Sequence, residues 1–212
     1  MLVADARTGE PHPLTKILVL GGYGGFGSRL SRRLAGDGFQ VLIAGRNLET
    51  AQALARHLPN AMALQADRNG DIATILDEHK PFLLIDAAGP FQQSDDRVAR
   101  SCIGAGVHYI DLADARDFVG AIGRLDQQAK ATGVAVISGA SSVPALSSAV
   151  VAELARDMQE VRSIEMSISA SNRATAGASV ASAILSYVGK PVRLWRGRRW
   201  RNVIGWHMLK RE

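Results

Sequence analysis

Short aliphatic runs alternate with amphipathic stretches along the first two thirds of the chain. The runs are KILVL (residues 16–20), FQVLIA (39–44), AMALQAD (61–67), FLLIDAAG (82–89), HYIDL (108–112) and GVAVIS (133–138). Between them apolar residues recur at helical spacing: Phe26, Leu30 and Leu34, then Leu48, Ala51, Leu54, Ala55 and Leu58 behind Asn47 as N-cap, then Phe118, Ile122, Leu125 and Ala129. Further helices are expected over residues 70–79 and 93–105. Six strand–helix alternations result. Strands written as nearly unbroken aliphatic runs are covered on both faces, which predicts an α/β fold with a doubly wound parallel sheet flanked by helices.

Near residue 140 the pattern changes. GASSVPALSSAVVAEL reads as a loop and a helix. VRSIEMSISAS then alternates, with Ile164, Met166, Ile168 and Ala170 against Glu165, Ser167, Ser169 and Ser171, as expected of an antiparallel strand with one wet face. A helix, ASVASAILSYV, and a hairpin turning at Arg196-Gly197-Arg198 complete the expected second domain, which looks unfinished where the sequence stops. The domains are thus placed at residues 14–140 and 141–212.

Composition adds that the chain should form an ordinary folded domain: 212 residues, 47% hydrophobic and 21% charged. A single cysteine, Cys102, permits no internal disulfide, and the opening MLVADARTGE interrupts any apolar leader with acids; a cytoplasmic location is expected. The longest apolar stretch falls short of a membrane span, so no membrane partner is expected. The charge is uneven. Residues 1–190 carry 18 Lys and Arg against 19 Asp and Glu, whereas residues 191–212 carry 7 against 1. This excess includes RLWRGRRWR, residues 193–201. Basic residues interleaved with tryptophan can bind single-stranded nucleic acid; we favour a hairpin with one wet and one buried face, and expect no nucleic-acid partner.

The candidate chemistry begins behind the first strand, where GGYGGFG (residues 21–27) places five glycines among seven residues. Gly22-x-Gly24-x-x-Gly27 satisfies the dinucleotide fingerprint with a strand before it, a helix after it and a second strand within about 30 residues. Gly22 permits the turn, Gly24 lets a pyrophosphate approach the backbone, and Gly27 lets the helix pack closely. Tyr23, Gly25 and Phe26 belong to the same phosphate-facing loop. The second strand ends in AGRN, residues 44–47, without the carboxylate that would hold ribose hydroxyls. Arg46 instead offers a bidentate donor for a 2′-phosphate, with Asn47 beside it, so NADP is favoured over NAD. Asp67, closing the third strand, can accept from the adenine amino group or cap the next helix. Ala88, Gly89 and Pro90 follow the fourth strand as small residues suited to a backbone passing beneath the nicotinamide ribose. Asp86 reads better as a core acid satisfied by backbone N–H groups than as a catalyst.

GGYGGFG, AGRN, AAGPF, CIGAGVHYIDLAD (residues 102–114) and GASSVPALSS (139–148), in that order and spacing, resemble the saccharopine dehydrogenase-like oxidoreductases, specifically their NADP-binding domain. The resemblance implies a Rossmann-type NADP domain followed by an α+β substrate and dimerisation module. Its activity would be NAD(P)-dependent hydride transfer with an imine, amine or carbonyl substrate. It does not imply saccharopine itself. Some relatives carry an acid in a Gly-Phe-Asp-Ser-x-Pro turn where this chain has Ser141, so any proton transfer assigned to that acid is in doubt. The chain also resembles the N-terminal part of a longer protein.

Proton-transfer candidates are few. The Tyr-x-x-x-Lys pair of short-chain dehydrogenases is missing, since Tyr187 and Lys190 are three apart, and no metal-ligand spacing occurs. Tyr109 and Asp111 lie on one side of the fifth strand, facing the crevice where substrate would meet the nicotinamide, and are the expected catalytic residues. His108 and Cys102 read as structural. The competing functional class is a non-catalytic NADP-binding sensor or assembly module. A homodimer through residues 160–206 is expected, because the half-covered strand and hairpin present apolar faces.

Overall fold

The computed structural model describes residues 15–167 and 178–207. The chain divides into two units, Met1–Ser167 and Ile168–Glu212. In the first unit, six strands form one parallel sheet: β1 (Lys16–Leu20), β2 (Gln40–Gly45), β3 (Ala61–Gln65), β4 (Leu83–Asp86), β5 (His108–Asp111) and β6 (Val136–Ile137). Their order is β3-β2-β1-β4-β5-β6. The chain starts in the middle, winds outward through β3, then crosses back beside β1 to β4. That reversal leaves a crevice at the carboxyl ends of β1 and β4.

The helices are α1 (Gly27–Gly36), α2 (Leu48–Ala55), α3 (Ile72–His79), α4 (Arg97–Ala105), α5 (Arg116–Ala121), α6 (Asp126–Thr132) and α7 (Ser147–Leu154). Alternate residues of each central strand feed opposite cores, because successive side chains point to opposite faces. Ile17, Val19, Val41, Ile43 and Ile85 meet α1 and α2 through Ala35, Ala51 and Leu54. Leu18, Leu20, Leu42, Leu84 and Tyr109 meet Ile72, Leu76, Val98, Cys102, Leu125 and Ala129 on the other side. The two-sided burial expected of a doubly wound fold is therefore present.

Local expectations hold where a side chain supplies the signal. Asn47 caps α2 by accepting from the Thr50 N–H at 2.9 Å. Asp71, which the sequence did not single out, does the same for α3, accepting from the Thr74 N–H at 3.1 Å. His108 is satisfied at the strand start, its Nδ1 accepting from the Ala135 N–H at 3.0 Å. Cys102 is fully buried, and burial, with Asp86 nearby, pushes its thiol up to about 12.

Four expectations are corrected. Phe26 does not share the packed face of α1 but is 63% exposed; the buried line is Gly27, Ser31 and Ala35. Small residues are needed there because α1 lies close upon the strand ends, and the Ser31 hydroxyl donates to the Gly22 carbonyl at 2.9 Å. Leu58 falls beyond α2, which ends at Ala55. The stripe from Phe118 to Ala129 is not one helix: α5 and α6 flank a 3-10 turn, Ile122–Leu125. The alternating segment forms no strand over residues 161–167, and its continuation through Ala170 lies outside the described residues. Alternation alone supplies no partner strand, and without one the ladder bonds of a strand cannot form.

In the second unit, α8 (Ala178–Leu185) precedes a hairpin of β7 (Pro191–Trp195) and β8 (Trp200–Ile204). The hairpin forms at the expected turn, where Gly197 and Arg198 have φ of 60° and 58°. Its aromatic face is not buried: Trp195 and Trp200 are 60% and 53% exposed, stacked edge to face at 5.4 Å, with Arg193 over the Trp200 ring at 4.9 Å. Among the described residues no helix is long and apolar enough to cross a membrane.

Candidate dinucleotide site

The turn between β1 and α1 is built from the glycines in ways a side chain would prevent. Gly21 has φ of +75°, and the N–H groups of Gly21 and Gly22 both donate to the Ala44 carbonyl at 2.8 and 3.1 Å. A Cβ on Gly22 would lie 2.7 Å from the Val19 carbonyl oxygen, and one on Gly27 only 2.1 Å from that of Gly21. A Cβ on Gly25, by contrast, would meet nothing within 4 Å. The first pair are therefore fixed by the fold itself, whereas Gly25 borders open space.

The first turn of α1 has no acidic residue and no side-chain cap. The Gly24 N–H is used locally, donating to the Gly21 carbonyl at 2.9 Å; those of Gly25 and Phe26 have no backbone partner among the described residues. Free N–H groups and the positive end of a helix dipole suit an anion, and the absent Cβ of Gly25 leaves it room. The turn thus fits a pyrophosphate.

Tyr23 ties this loop to the end of β2. Its ring fills the space a Cβ on Gly45 would take, the nearest ring atom being 2.4 Å from that position, and its hydroxyl accepts from the Asn47 N–H at 2.9 Å. Arg46 is exposed beside it, with its backbone carbonyl accepting from Gln65 Nε2 at 3.2 Å. The guanidinium has access to a phosphate at this edge, and no acid stands at residues 44–47. Asp67 does not cap α3. Its Oδ1 accepts from the Asn69 N–H at 2.9 Å, shaping the loop after β3 and leaving the exposed residue at the same edge.

On the other side of the crevice, β4 ends at Asp86 and runs into Ala88, Gly89 and Pro90, with Phe91 buried. Asp86, Tyr109 and Asp111 are all fully buried and share one face of the sheet, Asp86 being the register partner of Asp111. Asp86 accepts through Oδ1 from the Ala88 N–H at 3.0 Å and through Oδ2 from Arg68 Nε at 2.8 Å. Burial pushes its carboxyl above the usual range while Arg68 holds it down. The Tyr109 hydroxyl donates to Asp86 Oδ2 at 3.5 Å, and burial, followed by the charges of Asp86 and Asp111, raises its pKa well above that of an ordinary tyrosine.

Asp111 Oδ1 accepts from the Ala113 N–H, the Ser138 hydroxyl and the Gly139 N–H, at 3.0, 3.0 and 2.9 Å. Its Oδ2 is buried and has no partner. The structure places Tyr109 and Asp111 on one face of β5, as the sequence suggested, but both are fully buried, Asp111 at the strand's carboxyl end. Sequence reasoning missed Arg68 and Gly45. Neither carries a local signal: an arginine in ADRNG reads as a solvated loop residue, and a glycine ending a strand reads as a turn.

A family model described as saccharopine dehydrogenase NADP binding domain matches residues 17–137. No curated protein matches the chain. Solved structures with similar folds include 3-hydroxyacyl-CoA dehydrogenase type-2 from Mycobacterium avium, at 19% identity and a TM-score of 0.48, covering 58% of this chain and 72% of that one. Serine dehydrogenase from Escherichia coli aligns at 20% identity and a TM-score of 0.46, covering 58% and 79%. The Bordetella bronchiseptica enzyme WbmG, solved with NAD, aligns at 19% identity and a TM-score of 0.39, covering 47% of this chain; the match spans only 37% of WbmG.

Proposed function

The chain belongs to the saccharopine dehydrogenase NADP-binding domain family, its cofactor is NADP(H), and from that premise we propose that it serves an NAD(P)-dependent oxidoreductase. The cofactor supplies the chemistry, hydride transfer between nicotinamide C4 and an imine, amine or carbonyl carbon. The chain's own residues bind and orient. What supports this reading is the turn of residues 21–27, with its unpartnered Gly25 and Phe26 N–H groups at a helix start free of acids.

Gly22, Gly24, Gly25, Phe26 and Gly27 form or border the phosphate cradle, and Tyr23 orders the Arg46–Asn47 backbone by accepting from the Asn47 N–H. Arg46 selects the 2′-phosphate, Asp67 lies at the adenine edge, and Ala88, Gly89 and Pro90 lie beneath the nicotinamide half. Asp111 takes part in proton transfer through its unpartnered Oδ2, with Tyr109 beside it. One observation favours a second reading, a non-catalytic NADP-binding module: both proton-transfer candidates are fully buried. Calorimetry with NADPH, then a screen of amine and oxo substrates for NADPH oxidation, separates the two readings; binding without any turnover selects the second.

Arg46 carries the cofactor preference. Charge-assisted bonds worth about 1.5–3 kcal/mol should make NADPH bind roughly tenfold to a hundredfold tighter than NADH. Arg46→Ala is expected to remove that difference while leaving NADH affinity unchanged. Equal affinities in the unmutated chain would remove Arg46 from the site.

We also propose a homodimer through residues 160–206. Its support is the exposed apolar side chains each unit carries, Ile164 and Met166 in the first and Trp195, Trp200 and Ile204 in the second, together with a hairpin whose two strands are too few for independent stability. Light scattering should give twice the chain mass; a monomer at micromolar concentration contradicts the proposal.

A further inference from the structure

Arg68 is the one arginine buried among the described residues, 8% exposed within the loop between β3 and α3. Its Nε donates to Asp86 Oδ2 at 2.8 Å, and its Nη2 donates to the Asp95 carbonyl at 3.4 Å. The guanidinium carbon lies 5.1 Å from the Phe91 ring centre and 5.7 Å from that of Phe118, and the two rings themselves lie 5.3 Å apart. One side chain therefore joins the loop after β3, the end of β4, the segment of Phe91 and Asp95, and α5.

Stability alone does not account for such a group. Taking a guanidinium and a carboxylate out of water costs several kcal/mol per ion, and apolar replacements of similar volume are often neutral or stabilising. What an apolar side chain cannot do is fix direction. The planar guanidinium of Arg68 gives Nε to one oxygen of Asp86, whose other oxygen accepts the Ala88 N–H at 3.0 Å, and Nη2 to the Asp95 carbonyl, while its carbon lies within about 6 Å of the ring centres of Phe91 and Phe118. Both ends of the segment from Ala88 to Phe91 are thereby anchored to one guanidinium.

We propose that Arg68 is a positioning residue: through Asp86 and Phe91 it sets the backbone of residues 88–91 for the nicotinamide half of the cofactor, at a distance from the phosphates. This rests on the reading of the crevice as the NADP site. Arg68 touches no cofactor atom itself, so its loss should weaken binding only where the β4 loop is in contact.

The test compares two ligands, NADPH and 2′,5′-ADP, which lacks the nicotinamide half. In Arg68→Met, NADPH affinity is expected to fall roughly tenfold, while 2′,5′-ADP stays within about twofold of the unmutated protein. Arg68→Lys keeps the charge and loses the fork, so it should fold and show the same split more weakly. It carries the test by itself if the methionine variant does not fold. Equal weakening of both ligands, or of neither, in the folded variants overturns the proposal and makes Arg68 a packing residue. If the unmutated chain binds neither ligand, the NADP reading fails first and the proposal with it.

Discussion

Gly27→Ala should all but abolish NADPH binding. The added Cβ would sit 2.1 Å from the Gly21 carbonyl oxygen and 2.9 Å from the Gly22 Cα, both backbone atoms that no rotamer change can clear. Either the helix start or the glycine turn has to move. Overpacking of this kind costs about 1–3 kcal/mol of stability. The effect on binding is larger, because the N–H groups of Gly25 and Phe26 are displaced together. Two charge-assisted bonds of about 1.5–3 kcal/mol each correspond to a loss of roughly a hundredfold or more in affinity. Gly25→Ala separates the two effects. Its Cβ meets no protein atom within 4 Å, so melting temperature should be unchanged while NADPH affinity falls. If the Gly25 variant binds as tightly as the unmutated chain, no phosphate passes over that residue.

Replacing Asp111 should divide folding from turnover. Asp111→Ala strips the acceptor from the Ala113 and Gly139 N–H groups and the Ser138 hydroxyl, and the two buried N–H donors left unmade cost about 1–3 kcal/mol each, for a loss of about 2–6 kcal/mol. Asp111→Asn can keep its carbonyl oxygen at the Oδ1 position and retain those bonds, so its melting temperature should stay close to that of the unmutated protein. It loses the carboxylate proposed for proton transfer. With a substrate that supports NADPH oxidation, turnover should drop about 10²–10⁴-fold while NADPH affinity is kept. Undiminished turnover in Asp111→Asn would instead make the residue an anchor for the loop after β6.

The Arg68 comparison reads a different quantity from either experiment. Gly27→Ala acts on the phosphates and should weaken NADPH and 2′,5′-ADP alike. Arg68→Met acts on the far loop and should weaken only the former. A protein in which both variants behave the same way would have one rigid site rather than two separately held halves.

The sequence by itself determined the sheet and the glycine turn behind its first strand. Runs such as ILVL and VLIA are apolar on both alternating sets of residues, so they require cover on both faces; helices of period 3.6 between them supply it, and as crossover connections they let successive strands run parallel. The glycines at 22 and 27 were legible for a similar reason, since their demand is local: the backbone of the turn comes back on itself within a few residues. Asn47 caps its helix three residues from its partner, also within the reach of sequence, whereas the cap of α3 is Asp71 and not the Asp67 that the sequence offered. Tertiary structure decided whatever depends on residues far apart in the chain. Phe26 turned outward because α1 approaches the strand ends too closely for a ring. Tyr23 found Gly45, 22 positions away, because parallel strands β1 and β2 bring their ends together. Asp86 and Asp111 became register partners on one buried face, and Arg68, an ordinary loop arginine in the sequence, came to lie between Asp86 and two phenylalanine rings. Local pattern records which face of an element is apolar; it does not record which charged side chain the fold encloses, because that cost and its compensation are settled only between strands that meet after folding.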